Sequence, residues 1–368
     1  MTLNQNIKQF VATGEKLFIG ASVAVGMTVA VTAPAMAASI TGAKMEGNNP
    51  LDHLRYDVNG TQTYVNQAAD LDSLLSGDSD NPGGNLELFA SSETLAGQDA
   101  FDANKTTSVS GKVGNQTLTL SSLNAKDWFT TSSGGYDTSY GANTLASRWF
   151  TEFYNNGVKD SIEININTNT FFGTVSRTIS TGQYLQDAFN AFRDNGGFAA
   201  TSDPNISYVY DDGNNIKVGL AGHHDLKAFY KNRAESGVFD WLADTIKDGA
   251  AAELKNQLPF LSGTIDSFVA SFTASDIIDL AINDGFQASE VVKYTYGGNT
   301  PGYGYSFNAT ETGLKETDGW SHNGNYEVTI TGGNSEEVPE PITGLIAAAA
   351  LGGVALRRTK NSNKSKNS

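Results

Sequence analysis

Apolar and polar positions recur along this chain with two different periods, and the period changes where the type of structure should change. From Ser39 to Trp128 the apolar runs are short and repeatedly broken by turn residues, which predicts mostly short strands and turns. Gly111 to Leu123 reads as a hairpin, with Gly114-Asn115 at the turn and Leu118 and Leu120 alternating with threonines. Ala68 to Ser76 predicts a short helix, and Gly77 to Asn85, rich in Asp, Asn, Gly and Pro, predicts a loop. Beyond this point the helical period takes over. Leu145, Trp149 and Phe153 recur every fourth residue, as on one face of a helix. Ile162, Ile164 and Ile166 then alternate with Glu163, Asn165 and Asn167, the period of a half-buried strand. Ser180 with Gln183 reads as a capping box opening a helix that carries Leu185, Ala188, Phe189 and Phe192 and stops at Gly196-Gly197.

Ile206 to Tyr210 and Ile216 to Leu220 flank a polar loop containing Asp211 and Asp212, which predicts a second hairpin. The longest helical stripe is Phe239, Leu242, Ile246, Ala250, Leu254 and Leu258, stopped near Pro259. A further helix is expected over Ser262 to Phe272, and Thr273 with Asp276 caps another containing Ile277, Ile278 and Ile282. Strands return at Val291 to Tyr296, Tyr303 to Asn308 and Tyr326 to Thr331. The sequence shows no internal repeat. The class expected is α+β, strand-rich in its N- and C-terminal parts with a helical middle, over residues 38–331. A division into two subdomains would fall near 130–142, and 332–337 is a short polar linker.

Both ends read as targeting segments. Lys8 and Lys16 precede the apolar and small run Leu17 to Val31, and Ala35-Met36-Ala37 offers the small-x-small pattern of a signal peptidase site. Residues 1–37 are therefore expected to be a signal peptide, cleaved between Ala37 and Ala38. At 338–360 three parts follow in fixed order: Val338-Pro339-Glu340-Pro341, the uncharged run Ile342 to Leu356, and Arg357, Arg358 and Lys360, with a polar tail over 361–368. The prolines lack N–H donors and hold the chain extended. The apolar run can enter a bilayer as a transmembrane helix, and the basic cluster stays on the cytoplasmic side. Its fifteen residues, at about 1.5 Å each, reach about 22 Å of a roughly 30 Å hydrocarbon core. Such a weak anchor suits a tail held briefly and then removed, the logic of a GPI signal.

These three parts together resemble the PEP-CTERM sorting signal of bacteria that make an exosortase. The resemblance implies that Val338, Pro339, Glu340 and Pro341 are the recognition motif, Arg357, Arg358 and Lys360 the cytoplasmic stop, and the exosortase a partner in export alongside signal peptidase. The basic end is longer than the family's usual run of arginines. Local segments, Ser147 to Phe150, Asn195 to Phe198, Ser202 to Val209 and Lys217 to His223, also resemble a group of cyanobacterial PEP-CTERM proteins with no assigned activity.

Composition narrows the partners. The two end segments hold 7 of the 24 basic and 2 of the 40 acidic residues, which leaves 17 basic against 38 acidic and a net charge of -21. That charge repels nucleic acid and anionic lipid and suits divalent cations or a polysaccharide-rich exterior. With no cysteine, neither disulfides nor thiolate metal centres are available.

Little chemistry stands out. His223 and His224 are adjacent on an extended segment, point to opposite faces and suit a turn or helix cap better than a metal site. His53 and His322 are isolated from any recognised nucleophile arrangement. Asp78, Asp80 and Gly83 resemble the start of a calcium loop, yet Pro82 and Phe89 stand where that loop needs oxygen ligands, so a structural loop is expected. No cofactor is indicated other than calcium at Asp78 and Asp80, and no catalytic residue is identified. No phosphate loop, dinucleotide fingerprint, zinc-protease helix or Gly-x-Ser-x-Gly is present. The expected function is a non-enzymatic surface or extracellular-matrix protein, anchored transiently and then released to or attached at the cell surface. Alternatives are a calcium-dependent adhesin and a secreted polysaccharide hydrolase, which requires a concave pocket holding two carboxylates.

Overall fold

The computed structural model describes residues 38–167, 174–213, 215–234 and 240–331. The expected signal peptide with Ala35 and Ala37, the linker 332–337, the motif 338–341, the apolar run 342–356, the basic residues Arg357, Arg358 and Lys360 and the tail 361–368 lie outside the described residues. Ala38 opens the first described strand, Ala38–Ser39.

The described chain is mixed α+β, as the change of period implies. Among the described residues eight strands form the larger sheet. From one edge, it runs Thr310–Glu311, Gly324–Thr331, Asn215–Gly222, Asn205–Asp211, Gly84–Leu88, His53–Asn59 and Gln62–Val65, with Ala38–Ser39 also paired to Asn205–Asp211. A five-stranded sheet runs Gly302–Gly304, Val292–Tyr296, Gln116–Ser121, Thr107–Val113 and Thr41–Gly47. The pairings are antiparallel, and period-two alternation makes each sheet one-sided. In Gly324–Thr331, Tyr326, Val328 and Ile330 are buried while Glu327 and Thr329 face outward. Leu86, Leu88, Val209 and Val218 of the larger sheet meet Val109 and Leu120 of the smaller in one apolar core.

A second, larger core belongs to the helices. It is built from Leu145–Gly157, Leu185–Asp194, Asp240–Gln257, Ser262–Ala270 and Ala274–Ala281, with Ile162, Ile164, Ile166 and Ile179 of the hairpin Ser161–Asn167/Thr174–Ser180 laid into it. At about 1.5–3 kcal/mol for each fully buried large apolar side chain, these stripes supply the drive that the isolated helices lack. Ala274–Ala281 starts as expected: Thr273 and Asp276 form a reciprocal capping box. No helix among the described residues is long and apolar enough to cross a membrane.

Several local expectations change. Ser180 does not cap a helix; it is the last residue of its strand, paired with Ser161. The chain then passes through the 3₁₀ turn Gly182–Tyr184 into Leu185–Asp194 without a side-chain cap. Sheet pairing took Ser180 before the helix could use it. The loop from Gly77 ends earlier than expected, because Gly84 already belongs to a strand, and the strand expected over Tyr303 to Asn308 is reduced to Gly302–Gly304. The strand-rich N-terminal part also contains the helix Leu95–Asp102, capped by Thr94 through the Gly97 N–H.

Candidate functional site

The register of the larger sheet assembles the site. Glu87 pairs with Asn205 across neighbouring strands, and Asn205 follows Asp203 and Pro204 in the chain. The backbone N–H of Asn205 donates to Glu290 Oε2 at 3.0 Å, which ties in the segment before Val292–Tyr296. Three carboxyl groups from distant parts of the sequence therefore gather at one end of these strands.

Their surroundings disfavour charge. Burial pushes Glu87 up to about 7; the Tyr56 hydroxyl, donating to Oε2 at 2.9 Å, opposes that rise, and the charges of Glu93, Glu316 and Asp52 add to it. Asp203 is raised well above the usual carboxylate range, first by burial and then by Glu290 and Glu87, against the hydroxyl of Ser92, which donates to its Oδ2. Glu290 is raised by burial and by Glu87, and the Asn205 N–H opposes this. Among the described residues, none of Glu87, Glu93, Asp203 and Glu290 takes part in an ion pair. Asp203 Oδ1 is buried and has no hydrogen-bond partner among the described residues.

A neutral polar network backs this cluster. Asn85 Nδ2 donates to Asn205 Oδ1 at 2.7 Å, and Asn205 Nδ2 donates to His322 Nε2 at 2.9 Å. That leaves the ring proton on Nδ1, which donates to Thr63 Oγ1 at 2.7 Å. The imidazole meets the Tyr56 ring edge-on at 4.6 Å, and burial pushes it down to about 4.

In front of Glu290 lies a cavity of about 790 Å³. Trp149, Phe153 and Phe192 are buried side chains of its wall, joined by the half-buried Trp241, whose ring meets Phe192 at 5.3 Å. Glu93 stands on the exposed rim and Ser92 connects the wall to Asp203. The two glycines that end Leu185–Asp194 shape another side. Gly196 has φ 76°, and a side chain on Gly197 would come within 2.5 Å of the Phe192 ring. Trp128 donates its indole N–H to Ser202 at 2.6 Å, whereas Trp149 Nε1, also buried, has no hydrogen-bond partner among the described residues.

The sequence-predicted positions distribute as follows. His223 reaches the cavity, stacked on Phe229 at 3.9 Å with Nδ1 3.2 Å from Trp320 O. His224 bonds through its backbone to Asn323 and Gln287, and the side-chain contact to the helix Leu226–Ala234 comes from Asp225, which accepts from Ala228 N at 3.1 Å. Asp78 Oδ1 accepts from the backbone N–H groups of Asp80 and Asn81, both at 3.0 Å, an Asx turn that holds the loop. Among the described residues no cluster of three or more His, Cys, Asp or Glu is arranged to hold a metal ion. Glu87, Glu93, Asp203 and Glu290 were not singled out by sequence reasoning, and the one local signal was Glu87, a charged residue between Leu86 and Leu88 in a buried strand. No family model, curated protein or solved structure matches the chain.

Proposed function

We infer that this chain is an exported surface or extracellular-matrix protein with an interaction role, delivered through signal peptidase and an exosortase. The observation that carries this reading is the ordered run of Val338-Pro339-Glu340-Pro341, an uncharged apolar span and Arg357, Arg358 and Lys360, together with the signal-like segment over 1–37. A surface of net charge -21 after removal of both segments suits solubility outside the cell. Intact-mass measurement on protein from wild-type cells is expected to give a chain beginning at Ala38 and ending near Pro339, and full C-terminal length once the exosortase gene is deleted. A tail that persists in wild-type cells sinks the reading.

One observation favours a second reading, hydrolysis of a polysaccharide: Glu93 and Glu290 stand on the wall of a single cavity. Under it, the purified chain releases new reducing ends from surface polysaccharide, and Glu93→Gln and Glu290→Gln each abolish the release. If wild-type protein releases none, the cavity is left with binding alone.

A further inference from the structure

We propose that the cavity binds an amino sugar, with the ammonium group held at Glu290 and a ring face laid on the aromatic wall. This concerns the folded domain alone and stands whether or not the tail is processed.

Size and wall chemistry set the class. A cavity of about 790 Å³ falls in the roughly 300–1,000 Å³ range of organic ligand sites. Phe192, Phe229 and Trp241 offer no oxygen to a hard metal ion, and since His223 is stacked on Phe229 and Phe192 is buried, the half-buried Trp241 is the ring that suits an organic cation or the C–H face of a sugar ring. Charge selects the cation. Glu93 and Glu290 have no ion-pair partner among the described residues, and Asp203 adds a third carboxyl group behind Ser92. Arg193 on the same wall is engaged already, its Nε with Asp194 at 2.8 Å and a terminal N–H with Thr138 O at 2.9 Å. An anionic sugar or a zwitterion would bring a carboxylate to a wall that already carries Glu93 and Glu290.

The preference for a ring comes from the wall itself. The half-buried Trp241 lines the cavity and offers a flat aromatic surface. The C–H face of a sugar ring covers such a surface as one rigid unit, which a flexible polyamine does not. The Glu290 carboxyl group accepts only the Asn205 N–H among the described residues; burial and Glu87 disfavour its charge, and an ammonium donor beside it would supply the counter-charge that favours its ionised form.

The probes are the glucosamine trimer and the N-acetylglucosamine trimer, which share a skeleton and differ in charge at nitrogen. Each is titrated into the full chain in near-neutral, low-salt buffer and followed by calorimetry and tryptophan fluorescence. The amine form should bind roughly ten- to a hundredfold more tightly, as expected of one charge-assisted hydrogen bond. Glu290→Gln keeps an acceptor for Asn205 N–H and should erase that preference without lowering the thermal midpoint, while Trp241→Ala should weaken both trimers. Equal affinity for the two trimers, spermidine binding as tightly as the glucosamine trimer, or no binding by either trimer would each overturn the proposal.

Discussion

Phe198→Ala is expected to cost about 3–5 kcal/mol of folding stability, the range for removing a large side chain from a core that cannot collapse around the gap. Phe198 is 2% exposed, on the short helix Gly197–Ala200. Its ring lies 4.9 Å from Phe192, 5.0 Å from Trp128, 5.2 Å from Phe129 and 5.4 Å from Phe189, with Trp149 and Phe150 just beyond. Mixed edge-to-face and tilted geometry gives such pairs a contribution of about 0.5–1.5 kcal/mol beyond area burial. Alanine would remove contacts to several helices at once, and rings fixed by their own backbones could not all move inward. Denaturant unfolding should show a fall in midpoint at unchanged slope. A loss below about 1 kcal/mol would mean that these rings repack freely, contrary to the interlocked arrangement. Because Trp149 and Phe192 also wall the cavity, the same variant should alter tryptophan emission and weaken binding there.

The helical core was legible because its signals are local. The stripe from Leu242 to Leu258 is buried as the 3.6-residue period requires, and the Thr273–Asp276 capping box forms within four consecutive residues. Ser180 and Gln183 carry an equally good local signal, but a partner strand nineteen positions earlier, at Ser161, claims Ser180. Propensity yields wherever long-range pairing satisfies the backbone better. The site was illegible for the same reason in stronger form. Glu87, Asp203 and Glu290 have unremarkable neighbours in sequence, and their convergence follows from the pairing of Glu87 with Asn205 and from one backbone bond to Glu290. Asp78 and Asp80, which do carry a suggestive local spacing, are occupied with holding their own turn. Spacing of ligands within a loop is readable from a single chain; sheet register between segments more than a hundred residues apart is not.

That convergence should make the protein lose stability as the pH rises toward neutrality, and Glu87→Gln should remove the share of the loss that belongs to Glu87. A carboxyl group whose folded pKa lies above its unfolded value contributes stability below the unfolded value and forfeits it as pH rises through the folded one. For Glu87 the window runs from 4.5 to about 7. At about 1.4 kcal/mol per pH unit, the span is worth on the order of 3 kcal/mol. Asp203 and Glu290 act in the same direction. His322 opposes them: its folded value of about 4 lies below the ordinary 6.5, so its contribution is present above 6.5 and is lost as pH falls toward 4. The wild-type profile is a difference between these two limbs, and its slope alone assigns neither. The Glu87→Gln comparison isolates one limb, since glutamine keeps an acceptor for the Tyr56 hydroxyl and cannot ionise. Unfolding free energies measured at about pH 4 and about pH 8 should show the variant gaining on wild type by up to roughly 3 kcal/mol between the two. A gap that does not change with pH would mean that Glu87 titrates alike in the folded and unfolded chains. Retaining Glu87, Asp203 and Glu290 at neutral pH without a basic partner costs stability that amides of the same shape would restore. Of the three, Glu290 lines the cavity, and there the ammonium group proposed above would supply the missing positive charge.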